Sequence, residues 1–337
     1  MVTSLPVIDV GPLVRGGTDG DAAAVARAID AACRDNGFFY VVGHGVDPAL
    51  QARLEDLARQ FFALDDDEKS AIAMVHASRA WRGWFPVGGE VTSGIPDLKE
   101  GLYFGAERPP DGRPLHGPNL FPARPAGLRD AVLDYLAAMT RLGHALVGGM
   151  ALGLGLDRDW FDRHLTADPL ILFRIFHYPP EPAGSGGKAQ PDRPREGWGV
   201  GEHTDYGLLT ILRQDQTGGL EVRARDGWRD APPIPDSFVC NLGDMLERMT
   251  AGRYRSTPHR VRNTSGVGRL SFPFFFDPAW DADVRPVPGV GDGQAVGDDA
   301  SDRWDGMSVH RFEGTYGDYL LGKVSKVFPD LGARVLE

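Results

Sequence analysis

Between Ile171 and Asp277 the chain is cut into short β-branched and aromatic runs separated by turn residues, and this texture restricts the fold more than any other feature. The runs are Ile171–Tyr178, Gly207–Arg213, Leu220–Arg223, Ser237–Asn241, His259–Val261 and Arg269–Phe276, with Gly, Pro, Asp and Asn between them. Several short strands with turn signals at close spacing predict an antiparallel sandwich or barrel. The stretch before them has a different period. Asp21–Arg34, Pro48–Leu64 and Leu128–Leu154 place apolar residues at helical spacing, as in Val132, Tyr135, Leu136, Met139, Leu142 and Leu146. Pro6–Val10 and Gly37–Val42 read as strands, Trp160–His164 as a short helix and Tyr316–Val327 as a last one. The residues after Leu64 are dense in Gly and Pro and yield no clear element. Ala183–Gly197 and Pro286–Gly306 read as polar loops. The expected class is therefore mainly β with α additions.

Composition narrows the partners. With 337 residues and 42% apolar content the chain can bury a large core, and its net charge of −11, with no basic stripe, argues against nucleic acid. Two cysteines, Cys33 and Cys240, build no disulfide framework and read as buried thiols. No apolar run reaches the roughly 18 residues of a membrane span, so the expectation is a cytoplasmic protein without a membrane partner, monomeric or a weak homo-oligomer.

Within the β-rich stretch lies Gly-Glu-His-Thr-Asp-Tyr-Gly, with His203 and Asp205 at i and i+2. On a strand these two side chains share a face. His259, following a proline at the start of another β-run, supplies a third ligand. Two histidines and one carboxylate leave three positions of an octahedral metal open, the pattern of a non-haem Fe(II) oxygenase. A bidentate 2-oxo acid fills two of these and O2 the last. Structural zinc, closed by four ligands, is disfavoured because no Cys-x-x-Cys is present. Arg269, on an apolar run, needs an anionic partner, and the distal carboxylate of a dicarboxylate co-substrate provides one. Ser271 shares its strand face. Tyr178 ends another strand and can add a phenol hydrogen bond. The other seven histidines (His44, His76, His116, His144, His164, His177 and His310) read as structural.

These residues resemble the isopenicillin N synthase-like Fe(II)/2-oxoglutarate-dependent dioxygenases. The resemblance lies in His203-Thr204-Asp205-Tyr206-Gly207-Leu208-Leu209-Thr210, Asn241-Leu242-Gly243-Asp244, Ser256-Thr257-Pro258-His259-Arg260-Val261 and Arg269-Leu270-Ser271, and it extends to Pro6-Val7-Ile8-Asp9 and Gly37-Phe38-Phe39-Tyr40-Val41. It implies a double-stranded β-helix (jelly roll) core with N-terminal helices and a C-terminal helix. By region this gives an N-terminal dioxygenase part at 1–125, a helical segment at 126–168, the jelly-roll core at 169–280 and a C-terminal loop and helix at 281–337. It implies Fe(II) on His203, Asp205 and His259, and 2-oxoglutarate on Arg269, Ser271 and Tyr178. The implied activity is oxidation, foremost hydroxylation, of an unactivated C–H bond of a small molecule, with release of succinate and CO2. An amino acid or a secondary-metabolite intermediate is the expected substrate. The retained Asp205 argues against halogenation, since the related halogenases carry a small residue there. Arg82-Gly83-Trp84-Phe85 is similar to a segment near substrate in the family. With Tyr103 and Phe276 it makes a candidate substrate wall of Arg82, Trp84, Phe85, Tyr103 and Phe276. Arg82 has pairing with Glu90 or Asp97 as its competing role, and Phe276 has core packing. Two other readings are an oxidase of isopenicillin N synthase type that uses Fe(II) and O2 without 2-oxoglutarate, and a non-catalytic metal- or ligand-binding jelly roll.

Overall fold

The computed structural model describes residues 5–92, 94–180, 198–290 and 306–328. The predicted loop Ala183–Gly197 and most of Pro286–Gly306 lie outside them. In chain order the elements begin with β1 (Val7–Asp9), α1 (Gly11–Arg15), α2 (Asp19–Asp35), β2 (Phe38–Val42), α3 (Pro48–Phe62) and α4 (Asp66–Ser70). Next come β3 (Gly83–Phe85), β4 (Val91–Thr92), β5 (Ile95–Pro96), β6 (Glu100–Gly105), α5 (Leu128–Gly153), β7 (Leu170–Tyr178), β8 (Val200–His203) and β9 (Leu209–Gln214). The last are β10 (Leu220–Ala224), β11 (Gly227–Asp230), β12 (Phe238–Leu242), α6 (Asp244–Met249), β13 (His259–Val261), β14 (Arg269–Asp277) and α7 (Tyr316–Val327).

The strands form a major sheet of order β1-β2-β12-β9-β14-β7-β6-β3 and a minor sheet of order β11-β10-β13-β8. This is the jelly-roll architecture with helices packed on it. The stretch 1–125 is not set apart from the core, because β1, β2, β3 and β6 all join the major sheet. The residues after Leu64, silent in sequence, hold four strands of two to six residues. Strands so short carry no periodic signal. β3 and β6 owe their place to the sheet edge formed by β7.

Side-chain parity splits the major sheet into two working faces. On β14, Leu270, Phe272, Phe274 and Phe276 join Ile171, Phe173 and Ile175 of β7 in the larger apolar core, together with Val132, Tyr135, Met139 and Leu146 of α5. The opposite face of β7, Leu172, Phe176 and Tyr178, belongs to a second cluster between the sheets. Helix α5 can approach β14 because position 143 is glycine: a Cβ there would stand 2.4 Å from the Phe276 ring. Helix α2 begins with a capping box in which Thr18 and Asp21 satisfy each other's backbone N–H groups.

Candidate metal centre and its pocket

The two histidines meet across the minor sheet. Antiparallel pairing of β13 with β8 sets His259 directly opposite His203, and the ring centroids lie 4.3 Å apart. Asp205 falls two residues past the end of β8, so the shared face predicted from a continuous strand is instead made by the chain as it leaves that strand. That exit is held by backbone bonds from Asp244 N–H to Asp205 O (2.8 Å) and Met245 N–H to Tyr206 O (3.2 Å). One ligand atom from each of His203, Asp205 and His259 lies within 4.8 Å of the other two.

The atoms around the triad fix which lone pairs face inward. Nδ1 of His203 sits 2.8 Å from Gly201 O, and Nδ1 of His259 sits 3.2 Å from Thr257 O. A carbonyl only accepts, so each Nδ1 carries the proton and each Nε2 presents its lone pair. Both Nε2 atoms are 3.8 Å from Asp205 Oδ1. The other carboxylate oxygen, Oδ2, accepts from the Thr210 hydroxyl (2.5 Å) and the Asn241 amide (2.6 Å). Thr210 and Asn241 are register partners on β9 and β12, which is why both reach the same oxygen. Burial lowers the His203 pKa, and burial together with neighbouring His203 pulls His259 down to about 4. Burial pushes Asp205 upward, but the two imidazoles and the donors Thr210 and Asn241 outweigh it and hold the carboxyl low. Neutral imidazoles and an ionised carboxylate are the protonation states a metal requires.

The buried space beside the triad is lined by alternating residues of β7 and β14, by His203 to Gly207, and by Tyr316, Leu320, Val324, Val327 and Phe328 around α7. Arg269 lies at one end, fully buried. Its Nε donates to Gly218 O and its Nη2 to Gln214 Oε1 at 3.3 Å, and its guanidinium carbon is 4.7 Å from the centre of the Tyr178 ring. Its Nη1 has no hydrogen-bond partner among the described residues. Ser271 and Tyr178 face the same space, with hydroxyls 3.3 Å apart. A buried, unanswered N–H beside two hydroxyls fits the distal carboxylate of 2-oxoglutarate. Gly207 closes the floor. A Cβ there would collide with the Asp277 carboxylate, which accepts from Leu208 N–H and from the Tyr316 hydroxyl.

None of the five residues of the predicted substrate wall lines this pocket. Phe276 points to the helical layer, where Gly143 and His144 receive its ring; its neighbour Phe275 faces the pocket. Trp84 belongs to the helical-side core and donates to Glu100 Oε2. Arg82 is buried outside the pocket lining, donating to the carbonyls of Leu115 (2.7 Å) and Phe104 (3.4 Å), and these contacts include neither Glu90 nor Asp97. Phe85 and Tyr103 form an aromatic backing layer against Phe176 and Phe328. Glu90, expected only as a partner for Arg82, lines the pocket instead, together with Lys99, Arg174 and Tyr206, which sequence reasoning did not place in the substrate wall. A lone arginine within Leu-Ile-Leu-Phe-Arg-Ile-Phe was the available signal for Arg174.

Comparison with known proteins decides the family. Residues 170–278 match the 2OG-Fe(II) oxygenase superfamily, and residues 5–124 match the family described as non-haem dioxygenase in morphine synthesis N-terminal. A probable iron/ascorbate oxidoreductase of Dictyostelium discoideum is 46% identical over 99% of this chain and 98% of its own. The chain belongs to the 2OG-Fe(II) oxygenase superfamily. It is an Fe(II)- and 2-oxoglutarate-dependent oxygenase that uses O2. A 1-aminocyclopropane-1-carboxylate oxidase of Dictyostelium mucoroides is 37% identical over 98% of this chain and 96% of its own. The homoarginine-6-hydroxylase 2-ODD-C23 of Glycine max is 34% identical over 98% of both chains. Among solved structures, a full-length Neurospora crassa protein in complex with alpha-KG superposes with a TM-score of 0.77 at 26% identity, covering 95% of this chain and 96% of that one. No helix among the described residues is long and apolar enough to cross a membrane.

Proposed function

We propose that His203, Asp205 and His259 hold Fe(II), that Arg269, Ser271 and Tyr178 hold 2-oxoglutarate, and that the enzyme hydroxylates an unactivated C–H bond of an amino acid. The unpartnered Nη1 of buried Arg269 carries this reading. It asks for a carboxylate at the end of the pocket where Ser271 and Tyr178 add hydroxyls, and the family match with its alpha-KG-bound neighbour favours 2-oxoglutarate over the oxidase alternative. Two of the relatives described above are named for amino-acid substrates, which supports that substrate class.

When bound, Fe(II) with 2-oxoglutarate supplies the oxidising power, with succinate and CO2 as co-products. The protein's own work is positional. The Gly201 and Thr257 carbonyls hold the imidazoles in the tautomer that offers Nε2. Thr210 and Asn241 occupy one oxygen of Asp205 and leave the other for the metal. Leu172, Phe176, Phe275 and the α7 side chains wall the space with apolar surface that keeps water from the reacting carbon. The test is succinate formation from 2-oxoglutarate with and without Fe(II). Arg269→Ala should raise the KM for 2-oxoglutarate by roughly 10- to 100-fold, the worth of one charge-assisted pair. An unchanged KM for 2-oxoglutarate in that variant would refute the assignment.

A further inference from the structure

The pocket contains a second arginine that neither metal nor 2-oxoglutarate explains. Arg174 sits on the pocket face of β7, four residues from Tyr178, so its Cα lies about 13 Å along the strand from the co-substrate end. The aromatic rings of Tyr103 and Phe275 lie 4.3 and 4.8 Å from its guanidinium carbon, which leaves the edge of the fork for hydrogen bonding. Its ion-pair partner is Glu90, with Oε1 3.5 Å from Nη1, and its Nε has no partner among the described residues. Glu90 is itself committed elsewhere: Oε1 accepts from the Tyr103 hydroxyl at 2.6 Å, and Oε2 lies 2.8 Å from Lys99 Nζ. Lys99 also reaches Asp97 at 2.5 Å.

Within this ion-paired cluster the charges therefore balance, Arg174 and Lys99 against Glu90 and Asp97. A purely anionic substrate would add an uncompensated charge, and so would a purely cationic one. A zwitterion adds none. It also matches the geometry, because the Arg174–Glu90 pair is stretched to the limit of hydrogen bonding and both groups line the cavity. A carboxylate can dock on the free edge of Arg174 through two parallel bonds, while an ammonium on the adjacent carbon faces the Glu90 oxygen.

We infer that Arg174 and Glu90 form the docking pair for the α-carboxylate and α-ammonium of an amino-acid substrate, a specificity element that rests on the oxygenase reading above. The test uses the protein loaded with Fe(II) and 2-oxoglutarate. L-arginine, L-homoarginine, L-leucine and L-phenylalanine are offered, each beside its carboxamide and its Nα-acetyl derivative, and succinate above background is measured. At least one free amino acid should stimulate turnover, and blocking either end should lower kcat/KM by about tenfold or more. R174Q should shrink the acid-to-amide ratio, and E90Q the amine-to-acetyl ratio, to within about threefold. Should R174Q fail to fold, R174K keeps the charge but loses the fork, and its acid-to-amide ratio should fall between those of the wild type and unity. Stimulation by none of the free amino acids, equal use of the blocked forms, or ratios that survive the substitutions would each overturn the inference. Loss of all Fe(II)-dependent 2-oxoglutarate turnover in the wild type, background included, would instead overturn the oxygenase reading.

Discussion

Asp205 divides its two oxygens between two tasks, and the division can be measured. Thr210 and Asn241 both donate to Oδ2, which leaves Oδ1 near the two imidazole Nε2 atoms. Removing either donor lets the carboxylate rotate. Thr210→Val or Asn241→Ala should weaken Fe(II) binding by roughly 10- to 100-fold in anaerobic titration while the fold stays intact. Protons report on the same residues. His259 drops from an ordinary value of 6.5 to about 4, so between those pH values the unfolded chain binds more protons than the folded one. The metal-free protein therefore loses stability from this group as pH falls from 6.5 to 4. Asp277 works in the opposite sense: burial lifts it from 3.8 to about 7, which costs stability as pH rises through that window. The difference between wild type and His259→Gln in urea midpoints at several pH values isolates the histidine, and the variant should lack its share of the slope. The triad was legible in sequence because its spacing has a chemical meaning by itself. The roles of Thr210 and Asn241 were not, since they arise from the register of β9 against β12, which no local pattern encodes.

At the scale of a strand, parity decides between packing and recognition. Phe275 and Phe276 are adjacent and chemically identical, yet one lines the pocket and the other fills the notch at Gly143. Phe276→Ala should cost about 3–5 kcal/mol in denaturant unfolding and leave the ranking of substrates unchanged. Phe275→Ala should do the reverse, altering kcat/KM among substrates with a smaller stability loss. The β-rich texture from Ile171 to Asp277 announced six of the eight strands described there and, within a residue or two, their ends; β8 and β11 lay outside the predicted runs. The pocket face of β14 carries Arg269, Ser271, Pro273, Phe275 and Asp277 and the core face Leu270, Phe272, Phe274 and Phe276, so counting in twos from Arg269 leads to Phe275 and away from Phe276. No such count reaches Glu90 and Lys99, which come from short or irregular segments whose place depends on β6 and β7.

Across the whole molecule, His203 and His259 ride on the minor sheet with Asp205 just beyond the end of β8, Thr210, Asn241 and both pocket arginines ride on the major sheet, and α7 covers the space between. Tyr316 ties that helix to Asp277 beside the metal loop. Deleting the chain from Thr315 onward should leave Fe(II) and 2-oxoglutarate affinities within about threefold but raise the KM of the primary substrate by about tenfold or more, as the apolar cover is lost. Equilibrium binding and steady-state kinetics on one preparation would separate the two effects. The layering of helices on a β core was readable from the change of period along the chain, whereas the union of 1–125 with the core sheet was not, because strand pairing across such sequence separation leaves no local trace. The two-faced build of β7 and β14 has a practical corollary for directed evolution. Libraries confined to Leu172, Phe176 and Phe275 sample new substrate shapes from the side of the sheet that the helical core never touches, so most members should still fold and the screen should read selectivity instead of survival.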